Sequence, residues 1–197
     1  MIAGLLGEPV HQDEEVKTEE VNDEAEAAAK HDPIKNPNSL LIVYQTRIEL
    51  LYMQQRMEFA NMLYQPALET ANKLIEHQRK IIDLTVADKC AERSELANLI
   101  HLKGQAMERC QLGMEENLKC QEEAIELEEL NAEESGKQSD LLCRLYRVKA
   151  HMCEYLGQAE EAVLSCEKAL AAYRARSDGD HSEVIGKLEG YITAQRQ

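Results

Sequence analysis

From Ser39 onward the apolar side chains recur at steps of three and four, and no segment sustains an alternation of β-branched residues. A step of three to four is the period of a helix with one buried stripe, whereas a strand needs a period of two. With only four prolines and nine glycines among abundant Ala, Leu, Glu and Lys, the composition favours helix as well. The chain reads as all-α.

The stripes divide the sequence into helices. Leu41, Tyr44, Ile48, Leu51, Phe59 and Met62 line a first long helix that stops before Gln65-Pro66, and Pro66 suits the opening turn of a second, where its missing N–H costs nothing. The second runs through Leu68, Ala71, Leu74, Ile75 and Ile81. A third is expected from about Val86 to Cys110 through Leu96, Ile100, Gly104 and Met107, breaking near Leu112-Gly113, and a fourth from Met114 to Leu130. Glu133-Glu134-Ser135-Gly136 reads as a turn. A fifth helix carries Leu142, Leu145, Val148 and Met152 to Tyr155-Leu156-Gly157. A sixth carries Ala159, Ala162, Val163, Cys166, Ala169, Leu170 and Tyr173 to about Ser177-Asp178-Gly179. A last one starts near Asp180, with Glu183 three residues on, and buries Val184, Leu188, Tyr191 and Ile192.

Charge separates the two ends of the chain. Across 197 residues, 37 acidic and 22 basic side chains give a formal net charge of −15. Residues 1–37 hold ten of the acids against three lysines, a net −7, together with three of the four prolines. Too little apolar surface is present there to offset the entropy of ordering, so residues 1–37 read as a disordered or loosely helical acidic tail and 38–197 as the helical domain. Nucleic-acid phosphates and anionic lipid both require clustered Lys and Arg, so neither is an expected partner. The longest clean apolar run, Leu40–Tyr44, is far short of the roughly 20 residues of a membrane span. Met1–Gly7 is apolar but lacks a basic flank and runs into acid, unlike an export signal.

Tyr146, Ala150, Gly157, Ala162, Ala169 and Leu170 carry a further pattern over Cys143–Arg174: an aromatic, then small residues spaced so that two antiparallel helices meet closely, with a glycine at the corner. The stretch resembles the tetratricopeptide repeat, a helix–turn–helix unit of about 34 residues. Gly157-Gln158-Ala159-Glu160-Glu161-Ala162 and Cys166-Glu167-Lys168-Ala169-Leu170 resemble it most. Lys149, Cys153, Cys166 and Arg174 depart from it, standing where the family favours Leu, two aromatics and Pro. Upstream the likeness is architectural: superposing Gly104 on Ala150 places Cys120 on Cys166, a shift of 46 residues. The resemblance implies a helix-hairpin solenoid of about three antiparallel pairs plus a C-terminal capping helix, and a groove that holds a partner's peptide or helix. It places Arg144, Arg147 and His151, with His101, Gln105 and Arg56 as neighbours, as the partner-binding side chains. Some members clamp a peptide carboxylate with Lys and Asn; His101, Leu102, Gln105 and His151 leave that clamp incomplete.

Chemistry beyond binding is thin. Six histidines (His11, His31, His77, His101, His151 and His181) are dispersed with no metal-ligand spacing, and no phosphate loop, nucleophile elbow or paired base is evident, so neither cofactor nor catalysis is expected. The acidic run Glu122, Glu123, Glu126, Glu128, Glu129, Glu133 and Glu134 reads as a solvated helix face. Cys110-x9-Cys120 and Cys143-x9-Cys153 match in form the twin pattern of disulfide-linked helical hairpins of the mitochondrial intermembrane space, a minor alternative to six reduced thiols in the cytoplasm. The expected function is a non-enzymatic adaptor or scaffold for another protein. The alternative is a structural subunit of a large cytoskeletal, ciliary or mitochondrial assembly, which exposure of Ile42, Met53, Met57 and Met114 would favour.

Overall fold

The computed structural model describes residues 37–176 and 178–196; the acidic tail expected over 1–37 lies, but for Pro37, outside them. Among the described residues there are seven helices and no strand: α1 (Pro37–Ala60), α2 (Tyr64–Leu84), α3 (Cys90–Arg109), α4 (Met114–Ser135), α5 (Asp140–Tyr155), α6 (Ala159–Ala175) and α7 (Ser182–Gln195). They pack as successive pairs in a repeat-like stack. The hairpins α3/α4 and α5/α6 approach most closely, and α2/α3, α4/α5 and α6/α7 contacts join one pair to the next.

One closure is used three times. After α1, α3 and α5 a residue takes the left-handed conformation: Met62 at φ 60°, Gln111 at φ 56° and Gly157 at φ 73°. In each case the next N–H reaches back five residues to close the helix, Leu63 to the Glu58 carbonyl, Leu112 to Met107 and Gln158 to Cys153, while the left-handed residue's own N–H bonds to Phe59, Glu108 and Glu154. This is the helix stop in which two otherwise orphaned carbonyls find donors. The three corners stand 49 and 46 residues apart, so the turn repeats where the sequence motif does not. Only Gly157 announces it; Met62 and Gln111 accept a left-handed backbone that costs a side chain about 1 kcal/mol or more.

A single core runs the length of the stack, from Ile48 through Leu74, Leu99, Ile100, Ile125, Leu142, Leu145 and Tyr146 to Leu188 and Ile192. Two small clusters sit under the turns: Leu68, Ala106 and Met107, and then Leu118, Met152, Cys153 and Ala162. Of the repeat-packing residues, Tyr146, Ala150, Ala162 and Ala169 are buried, Leu170 is half-buried against the core, and Gly157 is exposed at its corner.

Several boundaries differ from expectation for reasons visible in the caps. Met62 is not on the α1 stripe but in the turn, exposed, because α1 ends at Ala60. Val86 is outside α3 and exposed; the Cys90 N–H bonds the Asp88 carboxylate at 2.9 Å just where the helix begins. Glu133–Ser135 is the last turn of α4 and not a loop, since Gly136 at φ 67° provides the stop one turn later. Asp180 does accept the Ser182 N–H at 2.9 Å at the start of α7.

Candidate functional site

The six partner-binding candidates fall into three separate groups. Arg144, Arg147 and His151 are exposed along α5, where a spacing of three and four keeps them on one side. Arg144 Nε lies 3.0 Å from Asp140 Oδ2, one turn before it, and Arg147 Nη1 donates to the Tyr173 hydroxyl at 3.3 Å. His101 and Gln105 instead belong to an internal amide ladder. Gln121 Nε2 donates to Asn117 Oδ1 at 3.1 Å, which leaves Gln121 Oε1 to accept from His101 Nδ1 at 2.8 Å; His101 Nε2 then accepts from Gln105 Nε2 at 3.1 Å. Asn117 and Gln121 are buried because Gly104, on α3, has no side chain to keep them out. Arg56 is exposed on α1. No hydrogen bond or ion pair among the described residues joins the three groups.

The acidic run of α4 is a solvated face only in part: Glu126, Glu133 and Glu134 are exposed and Glu122, Glu123 and Glu129 half-buried, but Glu128 is not on it. Glu128 is 1% exposed; its carboxylate accepts from the Ser139 hydroxyl and from Asn131 Nδ2 at 3.3 Å. Ser139 in turn accepts the Leu142 N–H at 3.0 Å and so caps α5. A buried carboxylate behind an N-cap serine faces the positive end of the helix, which is where a negative charge is best tolerated. Three other glutamates tie helices together: Glu123 pairs with Arg79 of α2, Glu122 with Lys149 of α5 at 3.0 Å, and Glu129 with Lys168 of α6 at 3.1 Å. Burial pushes the Glu129 carboxyl up, but the Tyr146 hydroxyl and Lys168 outweigh it and hold the group below the usual carboxylate range. Glu122, Glu129, Tyr146, Lys149 and Lys168, with Glu126, Glu161 and Ser165, line an open cleft of about 320 Å³ between α4, α5 and α6.

Asp88, Cys90 and Glu134 gather their ligand atoms within 4.8 Å of one another at the α3–α4 end. Arg93 already occupies that corner, pairing with Glu134 and lying 3.5 Å from Cys90 Sγ, while its Nε donates to Asn131 at 2.8 Å. A fixed guanidinium among the acids makes this a structural tie and a poor cage for a cation. All six cysteines are unbridged, Cys110 ending α3 and Cys120 standing on α4.

The most unusual surface lies on α1. Ile42, Leu50, Met53 and Met57 are 63%, 58%, 56% and 65% exposed, Val43 is exposed beside them, and Met62 and Leu63 continue the patch into the turn. The opposite side of the same helix is what the stack uses. Ile48 and Gln55 are buried, the Tyr44 ring lies 5.5 Å from His77, Gln54 reaches Thr70 at 3.3 Å, and the Tyr52 hydroxyl donates to Glu95. Met114, the fourth residue expected to mark such a surface, is half-buried against the Leu118 cluster. The far end of the stack is finished differently. The open side of α7 carries Ser182, Glu183, Gly186, Lys187, Glu189, Gly190 and Thr193, with Lys187 paired to Glu183 at 2.5 Å, and no large apolar side chain of α7 is exposed.

Among the described residues no helix is long and apolar enough to cross a membrane. No known protein-family model matches the chain, and comparison with curated proteins finds no match.

Proposed function

We propose that this chain is a non-enzymatic scaffold subunit, a tetratricopeptide-like stack of helix pairs that works by offering surface to protein, and that its principal contact is the outer face of α1. One observation carries the reading: at the N-terminal end of the stack a 24-residue helix is apolar on both sides, while the C-terminal end is closed by a helix with a polar outer side. Helix stacks require polar end caps to stay soluble, and an apolar stripe left open is the mark of a surface covered in use. The reading falls closer to a built-in subunit than to a groove-binding adaptor. The adaptor reading rests on Arg144, Arg147 and His151, whose exposure on α5 leaves them open to an acidic segment of a partner. A reducing compartment such as the cytoplasm goes with this reading.

The two readings separate by sedimentation of the chain in native extract. A Leu50→Glu, Met53→Glu variant is expected to fall to the size of a free chain while keeping its helical circular dichroism, and an Arg144→Glu, Arg147→Glu variant is expected to sediment as the wild type. Release by the arginine variant alone would refute the α1 reading in favour of the adaptor.

A further inference from the structure

The geometry points to a second copy of this chain as what covers the α1 face, with the two α1 helices antiparallel about a twofold axis near Leu51 and Tyr52. The inference rests on the scaffold reading above and names its partner.

The exposed stripe has the spacing of a coiled-coil seam. Val43, Leu50 and Met57 stand seven residues apart, and Thr46, Met53 and Ala60 fill the interleaved positions, so the six form a continuous alternation of threes and fours along α1. Ile48 and Gln55, the buried residues of α1, are diametrically opposite this seam on the helix. The seam can therefore be covered without disturbing the way α1 sits on α2 and α3. An antiparallel partner of identical sequence matches every layer: Val43 meets Ala60 of the second copy, Thr46 meets Met57, and Leu50 meets Met53. Each layer sets a smaller side chain against one of similar or larger size, apart from the central pair, which sets two large apolar ones on the axis. Met62 and Leu63 of the turn then reach the Ile42 end of the second copy and lengthen the contact. Covering these residues on both copies buries an area on the order of the roughly 800 Å² per partner of a stable interface.

Charge selects this partner and this direction. Glu49 and Arg56 flank the seam on one side, both are exposed, and neither makes a hydrogen bond or ion pair within the described chain. They are two turns apart on α1, about 10 Å along the axis, too far to pair with each other. In the antiparallel arrangement Glu49 of each copy faces Arg56 of the other, giving two symmetric ion pairs. A parallel pair would set Glu49 against Gln54 and leave Arg56 without an acid.

The test is the mass of the purified full chain by light scattering and sedimentation, from about 1 to 100 µM in reducing buffer of low ionic strength. The wild type is expected to be a dimer, and Leu50→Glu a folded monomer with unchanged circular dichroism. Glu49→Arg and Arg56→Glu each replace both ion pairs by repulsions and are expected to dimerise about tenfold more weakly. Mixing those two variants restores opposite charges at both sites, so the mixture is expected to dimerise as well as the wild type, and so is the Glu49→Arg, Arg56→Glu double variant. A wild-type monomer throughout the range overturns the inference. So does a dimer indifferent to Leu50→Glu, or single variants that the mixture does not rescue. If the purified chain is monomeric yet Leu50→Glu, Met53→Glu still releases it from its assembly in extract, self-pairing fails and the scaffold reading stands.

Discussion

Gly104 is a point of close approach in the α3/α4 hairpin, and Gly104→Ala tests whether that closeness is required. A β-carbon built there falls well inside van der Waals contact of Gln121 Nε2 and Asn117 Oδ1. Both atoms end movable side chains, but both residues are buried and bonded to each other at 3.1 Å, and Gln121 also holds His101 at 2.8 Å. Making room for the methyl group breaks at least one of these bonds and strands a buried amide, at about 1–3 kcal/mol. Overpacking between the helices adds roughly 1–3 kcal/mol. Against that, alanine stabilises the helix by about 1 kcal/mol over glycine. The balance is a loss of about 1–5 kcal/mol, read as a lower midpoint in urea with an unchanged slope. In a background where Gln121 and Asn117 are both alanine, the same change loses its clash and becomes neutral or stabilising. A single Gly104→Ala that raises stability by about 1 kcal/mol, the bare helix-propensity gain, would refute the packing argument.

Two other outcomes follow from the buried groups. The Glu129 carboxyl is held low in the folded chain, so it contributes stability that is complete above the unfolded-state value near about 4.3 and is lost as pH falls through the folded-state value below it. Tyr146→Phe removes one of the groups holding it low, and thermal melts from pH 6 to 3 should show a shallower acid-side decline; an unchanged slope would count against the Tyr146–Glu129 bond. Cys143, Cys153 and Cys166 are buried, and burial raises each thiol above its ordinary range. They are expected to resist a disulfide-exchange reagent until the chain unfolds, whereupon six thiols titrate without added reductant; only two would mean that the twin nine-residue spacings are bridged after all.

Helix content, order and most boundaries were legible in the sequence because a helix states its buried face locally, every three or four residues. Leu74, Ile100, Leu145 and Leu188 announced themselves in this way. The binding-surface candidates were less legible. His101 and Gln105 read as groove side chains, yet they serve the buried ladder that Gly104 admits, and Arg56 lies on another helix from the rest. Glu128 read as one more solvated glutamate, since nothing in the acidic run marks the one that meets Ser139 eleven residues on.

Sequence alone determined that the chain is helical, that its helices alternate with short turns, and that one hairpin is built for close packing at Ala150, Ala162 and Ala169. Tertiary structure decided what those helices do with their remaining surface. On α1, Tyr44, Ile48 and Leu51 compete with Ile42, Leu50, Met53 and Met57 for the inside, and local periodicity cannot choose because both sides are apolar. The choice fell to His77, Thr70 and Glu95, residues 16 to 43 positions away in the pairs that hold α1. The corners at Met62 and Gln111 have the same origin. A left-handed turn without glycine is imposed by helices that must fold back on each other, a requirement that packing sets and the local sequence does not record.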